Sequence, residues 1–400
     1  MQALLLFVVI GALAVLASQP ATLRAHRFVG LAQLAASGLA FLVLGAALGP
    51  NGLGALSVQN VGALQPVLSL GLGFAGLLMG LNLDPRLLRG VPGRVYAAVL
   101  AEAGGALVVV ALPLSLLIYL ALGFKWWGAL GAAAVLGGAA SISSGHQATL
   151  WVRAGRLDRA RGLGVTLLAM LDDFLGVALL GVALVAGAVE GPLRGMELVA
   201  ISVVLGLLCG AFLAYLVAAA AESSELMAVM IGGVALVAGA AAYLKVSALI
   251  AGLVSGGTLA VVGGRSVLRI YRVLSRVERP VYLVLLVVIG LHADPLNGIA
   301  LAFVPAFVAL RLLGKVMGGR WAAKLTRGWL PMPAEPGLAL VAQGGASLCI
   351  VTEYLLLVDR PSTHLAFGVA VFAVLVNEVL ASRAFPMALR PRGEAAGGAA

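Results

Sequence analysis

Blocks of apolar residues alternate along this chain with short breaks of charge, proline or glycine. Thirteen blocks are of near-spanning length, at roughly 3–18, 29–48, 62–82, 93–121, 127–151, 163–186, 196–219, 226–243, 246–263, 280–292, 297–319, 337–357 and 363–382. A helix rises about 1.5 Å per residue, so about 20 such residues cross the hydrocarbon core of a bilayer. The pattern predicts an all-α polytopic membrane protein. Ala, Gly, Leu and Val dominate the blocks, and glycine at this density lets helices approach closely where lipid supplies no hydrophobic drive between them.

Polar residues inside the blocks are the exceptions that need a reason. Asp172 and Asp173 sit near the middle of the sixth block, about 15 Å deep at the helical rise, close to the bilayer midplane. Adjacent helical positions differ by about 100° of rotation, so one carboxylate can bind a cation while the other anchors a contact. In the eleventh block Arg311 and Lys315 are four apart and share a helix face. Buried cations want buried anions, and an ion pair between helices six and eleven is the economical arrangement. Lys315 fits that pair, and by simple depth Arg311 fits it too. Glu102 and Glu378 are also intramembrane acids, without a partner evident from the sequence. Glu353 reads as structural or snorkelling. Glu335 opens the twelfth block near an interface, as a first-turn carboxylate or as an acid in a funnel leading to the site.

Two blocks are interrupted at matching places, at Ser141, Ser143 and Ser144 in the fifth and at Gly344, Gly345 and Ser347 in the twelfth. A broken helix frees backbone groups that lipid cannot satisfy, so such breaks belong where they line a site. Thirteen helices divide as six, one and six. The two broken helices are then seven positions apart and enter from opposite faces, which makes the halves inverted repeats. The expected organisation is a first repeat over 1–186, a linker helix over 187–222, a second repeat over 223–385 and a short tail over 386–400.

Composition agrees with this class, at 62% hydrophobic and 10% charged residues and a mean hydropathy of +1.10. The net charge of +10 does not signal nucleic acid, because the basic residues lie in short connections where they set topology. The even-numbered connections hold only Lys125, Arg194, Lys245 and Arg360. Every other lysine and arginine except Arg311 and Lys315 falls in the odd-numbered connections or the C-terminal tail. The N-terminus is therefore expected outside and the C-terminus in the cytoplasm of a cell membrane of bacterial inner-membrane type. The connection with Glu222 and Glu225 alone lacks the basic signature. Met1 to Ser18 lacks the positive residue that opens a signal peptide and reads as a first spanning helix. Cys209 and Cys349 offer neither metal-ligand spacing nor a disulfide framework.

The stretch Leu171-Asp172-Asp173-Phe174-Leu175-Gly176, with Gly314-Lys315-Val316-Met317-Gly318-Gly319, resembles the monovalent cation:proton antiporter-2 family, and especially its NapA-type sodium/proton antiporters. Gly76-Leu77-Leu78-Met79-Gly80-Leu81 and Glu335-Pro336-Gly337-Leu338 extend the likeness over nearly the whole chain. The resemblance implies an NhaA/NapA-like fold. Its dimerisation part would be built from about 1–92 and 223–279, and its mobile core, with crossed discontinuous helices, from 93–186 and 280–385. It implies Asp173 as the principal ion-binding carboxylate, Asp172 as the partner of Lys315, and a homodimer. Arg311 is an extra charge relative to that pattern and stands as the alternative partner.

The expected function is exchange of a monovalent cation for H⁺ by alternating access at the Asp172–Asp173 site, with Na⁺ bound at Asp173 and Asp172 and no cofactor. Exchange of K⁺ or Li⁺ for H⁺, and sodium-coupled symport of an organic anion on a related fold, are the alternatives. Only Arg383 to Ala400 follow the last block, so no regulatory nucleotide-binding domain is expected there and Na⁺ is favoured over K⁺. If Lys315 gives up a proton when Asp172 is freed, two protons exchange for one cation. No enzyme activity is expected; an intramembrane aspartyl protease needs its two acids on different helices.

Overall fold

The structure, a computed structural model, describes residues 37 to 389 except 154, 189, 190 and 221, together with residues 11 and 34. The first predicted span, Arg24 and Arg27 after it, and the tail from residue 390 lie outside the described residues. The described chain forms α1 (Leu39–Leu48), α2 (Val58–Gly62), α3 (Gln65–Leu81), α4 (Pro85–Leu88), α5 (Gly93–Leu122) and α6 (Trp126–Ser141). There follow α7 (His146–Arg153), α8 (Arg159–Gly187), α9 (Pro192–Ala219), α10 (Ser223–Leu244) and α11 (Ala248–Val262). The last five are α12 (Val267–Leu291), α13 (Gly298–Leu325), α14 (Pro336–Ala339), α15 (Gly344–Leu357) and α16 (Pro361–Ala388).

Helix ends follow local chemistry. Asp158 accepts from Arg161 N at 2.9 Å and starts α8. The acidic connection that lacked a basic signature is a capping box, in which Glu222 and Glu225 satisfy each other's backbone donors at the start of α10. Among the described residues seven helical stretches are long and apolar enough to cross a membrane: Val58–Leu81, α5, α8, α9, α10, α13 and α16. The helices α1, α11 and α15 are apolar but shorter.

The tenth block departs from expectation. It is the second half of α12, which runs unbroken from Val267 through Pro280 to Leu291. The arginines at 269, 272, 276 and 279 therefore sit on a helix and not in a connection, and the 279/280 boundary falls inside one element. Hydropathy ends a block where charges begin, but a helix continues if one face stays apolar. Here Val267, Ile270, Val273 and Leu274 are buried in one cluster with Phe74, Leu77 and Leu81.

Packing falls into two groups. In one, α3 lies along α11, α9 packs on α11, and α12 packs on α1 and α3. In the other, α5 lies along α13, α6 packs on α5 and α8, and α16 packs on α13 and α15. Gly76 and Gly80 of α3 bring its backbone against Leu249 and Leu253 of α11, so that glycine motif serves helix packing. The groups also meet at α15, where Glu353, 2% exposed, accepts from Ala248 N at 2.6 Å and caps α11 alongside Ser247.

Candidate functional site

Both broken segments end a helix, run for a few non-helical residues and start another. α6 stops at Ser141, Ile142 turns to extended backbone, and α7 begins at His146. α14 stops at Ala339 and α15 begins at Gly344. The two breaks touch, because Ser144 N donates to Ala342 O at 2.8 Å. Gln343 Nε2 donates to Ala139 O at 2.8 Å, and Asn377 Nδ2 of α16 donates to Gln343 Oε1 at 2.8 Å. Gly344 has φ +64°, a conformation that favours glycine, and a Cβ there would stand in tight contact, 3.0 Å from Ser144 Cβ. Ser347 Oγ donates to Gly344 O at 2.8 Å within its own helix turn, and Gly345 faces Tyr282 of α12.

A helix that stops inside the molecule leaves carbonyls without partners and a partial negative charge at its end. Arg311, fully buried on α13, meets this for both breaks: Nη1 donates to Val341 O at 2.6 Å, and Nη2 to Ile142 O at 2.8 Å and Leu340 O at 3.4 Å. Its ion-pair distance to either aspartate exceeds 4 Å, since no such pair forms among the described residues. A planar guanidinium with five fixed donors suits a fan of carbonyls.

One turn further, Lys315 is also fully buried and sits among four oxygens. Its Nζ donates to Ser141 O and, at 2.6 Å, to Ser143 Oγ; it lies 2.8 Å from Glu102 Oε1 and 3.4 Å from Asp172 Oδ2. The Glu102 contact is an ion pair without hydrogen-bond alignment. Glu102 comes from α5, which approaches α13 at glycines: a Cβ on Gly318 would lie 2.6 Å from Glu102 O, and one on Gly314 2.7 Å from Ala106 Cα. Asp172 is fully buried and its Oδ1 accepts from Ser143 N at 3.2 Å.

Asp173 points elsewhere. Its Oδ1 is buried and takes no hydrogen bond, and the residue lines a cavity of about 560 Å³ between the two helix groups. Ser143, Ser144, Thr166, Glu278 and Gly344 line the same cavity. Glu335 does not line this cavity; it is taken up by Arg320, with Nε to Oε2 at 3.0 Å. The second acid lining the cavity, beside Asp173, is Glu278, on the α12 turns that hydropathy places in a connection. A second cavity of about 850 Å³ lies at the opposite end of α15 and is lined by Glu353, Lys245 and Arg194.

No protein-family profile matches the chain, and no curated protein matches it. A solved structure does: the sodium proton antiporter MjNhaP1 from Methanocaldococcus jannaschii at pH 8, at a TM-score of 0.65 and 15% identity, covering 98% of this chain and 100% of that one. The chain shares the fold of that protein.

Within that fold the breaks, the acid pair and both cations of α13 come together, although 139 and 377 are far apart in sequence. Two participants carried no role in the sequence reading. Glu102 stood out as an intramembrane acid, but its alignment with Lys315 depends on how α5 and α13 rotate against each other. Glu278 gave no signal, since it lies among arginines.

Proposed function

We propose that this protein is a secondary transporter that exchanges a monovalent cation, Na⁺ favoured, for H⁺ by alternating access at Asp173 and Asp172. The observation that carries this reading is Asp173: a carboxylate with a buried, unbonded oxygen at the end of a cavity, beside a second carboxylate already neutralised by Lys315. Such a group takes one positive charge and has no preference built in by a fixed partner. A proton and a small cation compete for it, and the serine and backbone oxygens of the breaks complete a shell of hard oxygen ligands for the cation.

In this reading the chain has thirteen spanning helices as two inverted six-helix repeats around a linker, with the N-terminus outside and the C-terminus in the cytoplasm. The group containing α5, α6, α8, α13 and α16 moves as the core against a dimerisation part, and two copies form a homodimer in a cell membrane. The antiporter fold shared with MjNhaP1 supports the exchange class. The test is dissipation of a preset pH gradient in proteoliposomes on adding Na⁺, Li⁺ or K⁺. Cation-dependent proton efflux is expected, strongest for Na⁺. A response to K⁺ alone would assign the potassium alternative, and Na⁺-dependent currents driven by an organic anion and independent of pH would replace antiport by symport.

A further inference from the structure

Lys315 has three N–H donors and four oxygens within reach: Ser141 O, Ser143 Oγ, Glu102 Oε1 and Asp172 Oδ2. Its hydrogen bonds go to Ser141 O, Ser143 Oγ and, at 3.4 Å, Asp172 Oδ2, while Glu102 Oε1 stands closer, at 2.8 Å, as an ion pair without hydrogen-bond alignment. The two carboxylates share one ammonium. All three charged side chains are fully buried, so water cannot relieve an unbalanced charge among them.

From this geometry we infer that Glu102 is a positioning residue: it shares the Lys315 ammonium with Asp172 at the end of α6, and so keeps the hold of Lys315 on Asp172 loose enough for that carboxylate to turn towards the transported cation. Without Glu102 the only carboxylate among the described residues within ion-pair distance of Lys315 is Asp172. The ammonium then closes on Asp172 and competes with the incoming cation. Gly314 and Gly318 are part of the same device, because they admit α5 closely enough for Glu102 to reach Nζ. The inference rests on the reading of Asp172 and Asp173 as the exchange site.

Glu102→Gln, Lys315→Gln and the double variant test it in the purified full chain. Two quantities are read, thermal stability and the Na⁺ concentration that half-saturates thermal stabilisation, with KM and kcat for exchange in proteoliposomes alongside. Glu102→Gln is expected to raise the half-saturating Na⁺ concentration and KM by about tenfold, the scale of one hydrogen bond to a charged group, with a smaller change in kcat. In the Lys315→Gln background the same substitution should leave Na⁺ half-saturation unchanged and raise the melting temperature, because it removes a buried acid that has lost its cation. An unchanged half-saturation in Glu102→Gln overturns the inference. So does an equal rise in the Lys315→Gln background, or melting-temperature losses that simply add. If the unsubstituted protein responds to no cation, the exchange reading fails, while non-additive melting temperatures still support Glu102 as the holder of Lys315.

Discussion

At the scale of single residues, Asp173, Asp172 and Arg311 separate three tasks among buried charges. Asp173→Asn keeps the shape but cannot trade a proton for a cation, so it should abolish cation-dependent proton flux while the protein still purifies folded. Retained flux would remove Asp173 from the mechanism. Asp172 is held by Ser143 N and Lys315, and its loss should weaken cation binding and stability together. Arg311 joins two broken helices through Ile142 O and Val341 O and touches no acid of the pair. Arg311→Gln is therefore expected to lower stability by about 3 kcal/mol, the scale of an unbalanced buried charge network. Its effect on cation affinity should be secondary, and chemical or thermal denaturation of the variant checks this.

At the scale of elements, the approach of α5 to α13 sets the geometry that brings Glu102 to Lys315. Gly318→Ala places a methyl 2.6 Å from Glu102 O, so the helices must separate. A loss of about 1–3 kcal/mol is expected, with weaker cation binding. Gly104→Ala on the same helix meets nothing within 4 Å and serves as the control, with stability held or raised by up to about 1 kcal/mol. Melting curves of the pair decide it. This approach also marks how far the sequence could be read. Acids in hydrocarbon and Gly-Ser breaks in an apolar block are one-dimensional signals, and they pointed to the residues that meet at the crossing. Arg311 and Lys315 shared a face legibly, yet their division of labour depends on a difference of one helical turn relative to two helix ends from distant parts of the chain. The start of α12 was hidden because its arginines ended the apolar block while its buried face continued.

At the scale of the whole molecule, the fixed charges of the site balance. Glu102 and Asp172 oppose Lys315 and Arg311, and under the role proposed for Glu102, Lys315 keeps that acid whichever ion Asp173 holds. One cation then replaces one proton, and exchange is expected to be electroneutral: an imposed diffusion potential should leave its rate unchanged. Potential-driven exchange would restore the two-for-one stoichiometry. Competition also sets the sign of the pH effect. As pH falls the proton occupies Asp173 more often, so the apparent KM for the cation should rise while the maximal rate holds. The opposite end of α15 carries a different consequence. Glu353 sits about two and a half turns beyond Gly344, and caps α11 across the seam between the helix groups. Drawing α15 away from α11, to open a path to Asp173 from that side, breaks this bond. The mouth of the second cavity is thus fastened by a clasp of about 1 kcal/mol, the strength of a helix cap, which biases the resting population about fivefold towards the form seen here. Glu353→Ala should relax that bias, read as slower alkylation of a cysteine at Ala346→Cys in a background without Cys209 and Cys349. The transporter would then spend its idle time more evenly between its two faces, at the cost of one hydrogen bond that never touches the transported ion.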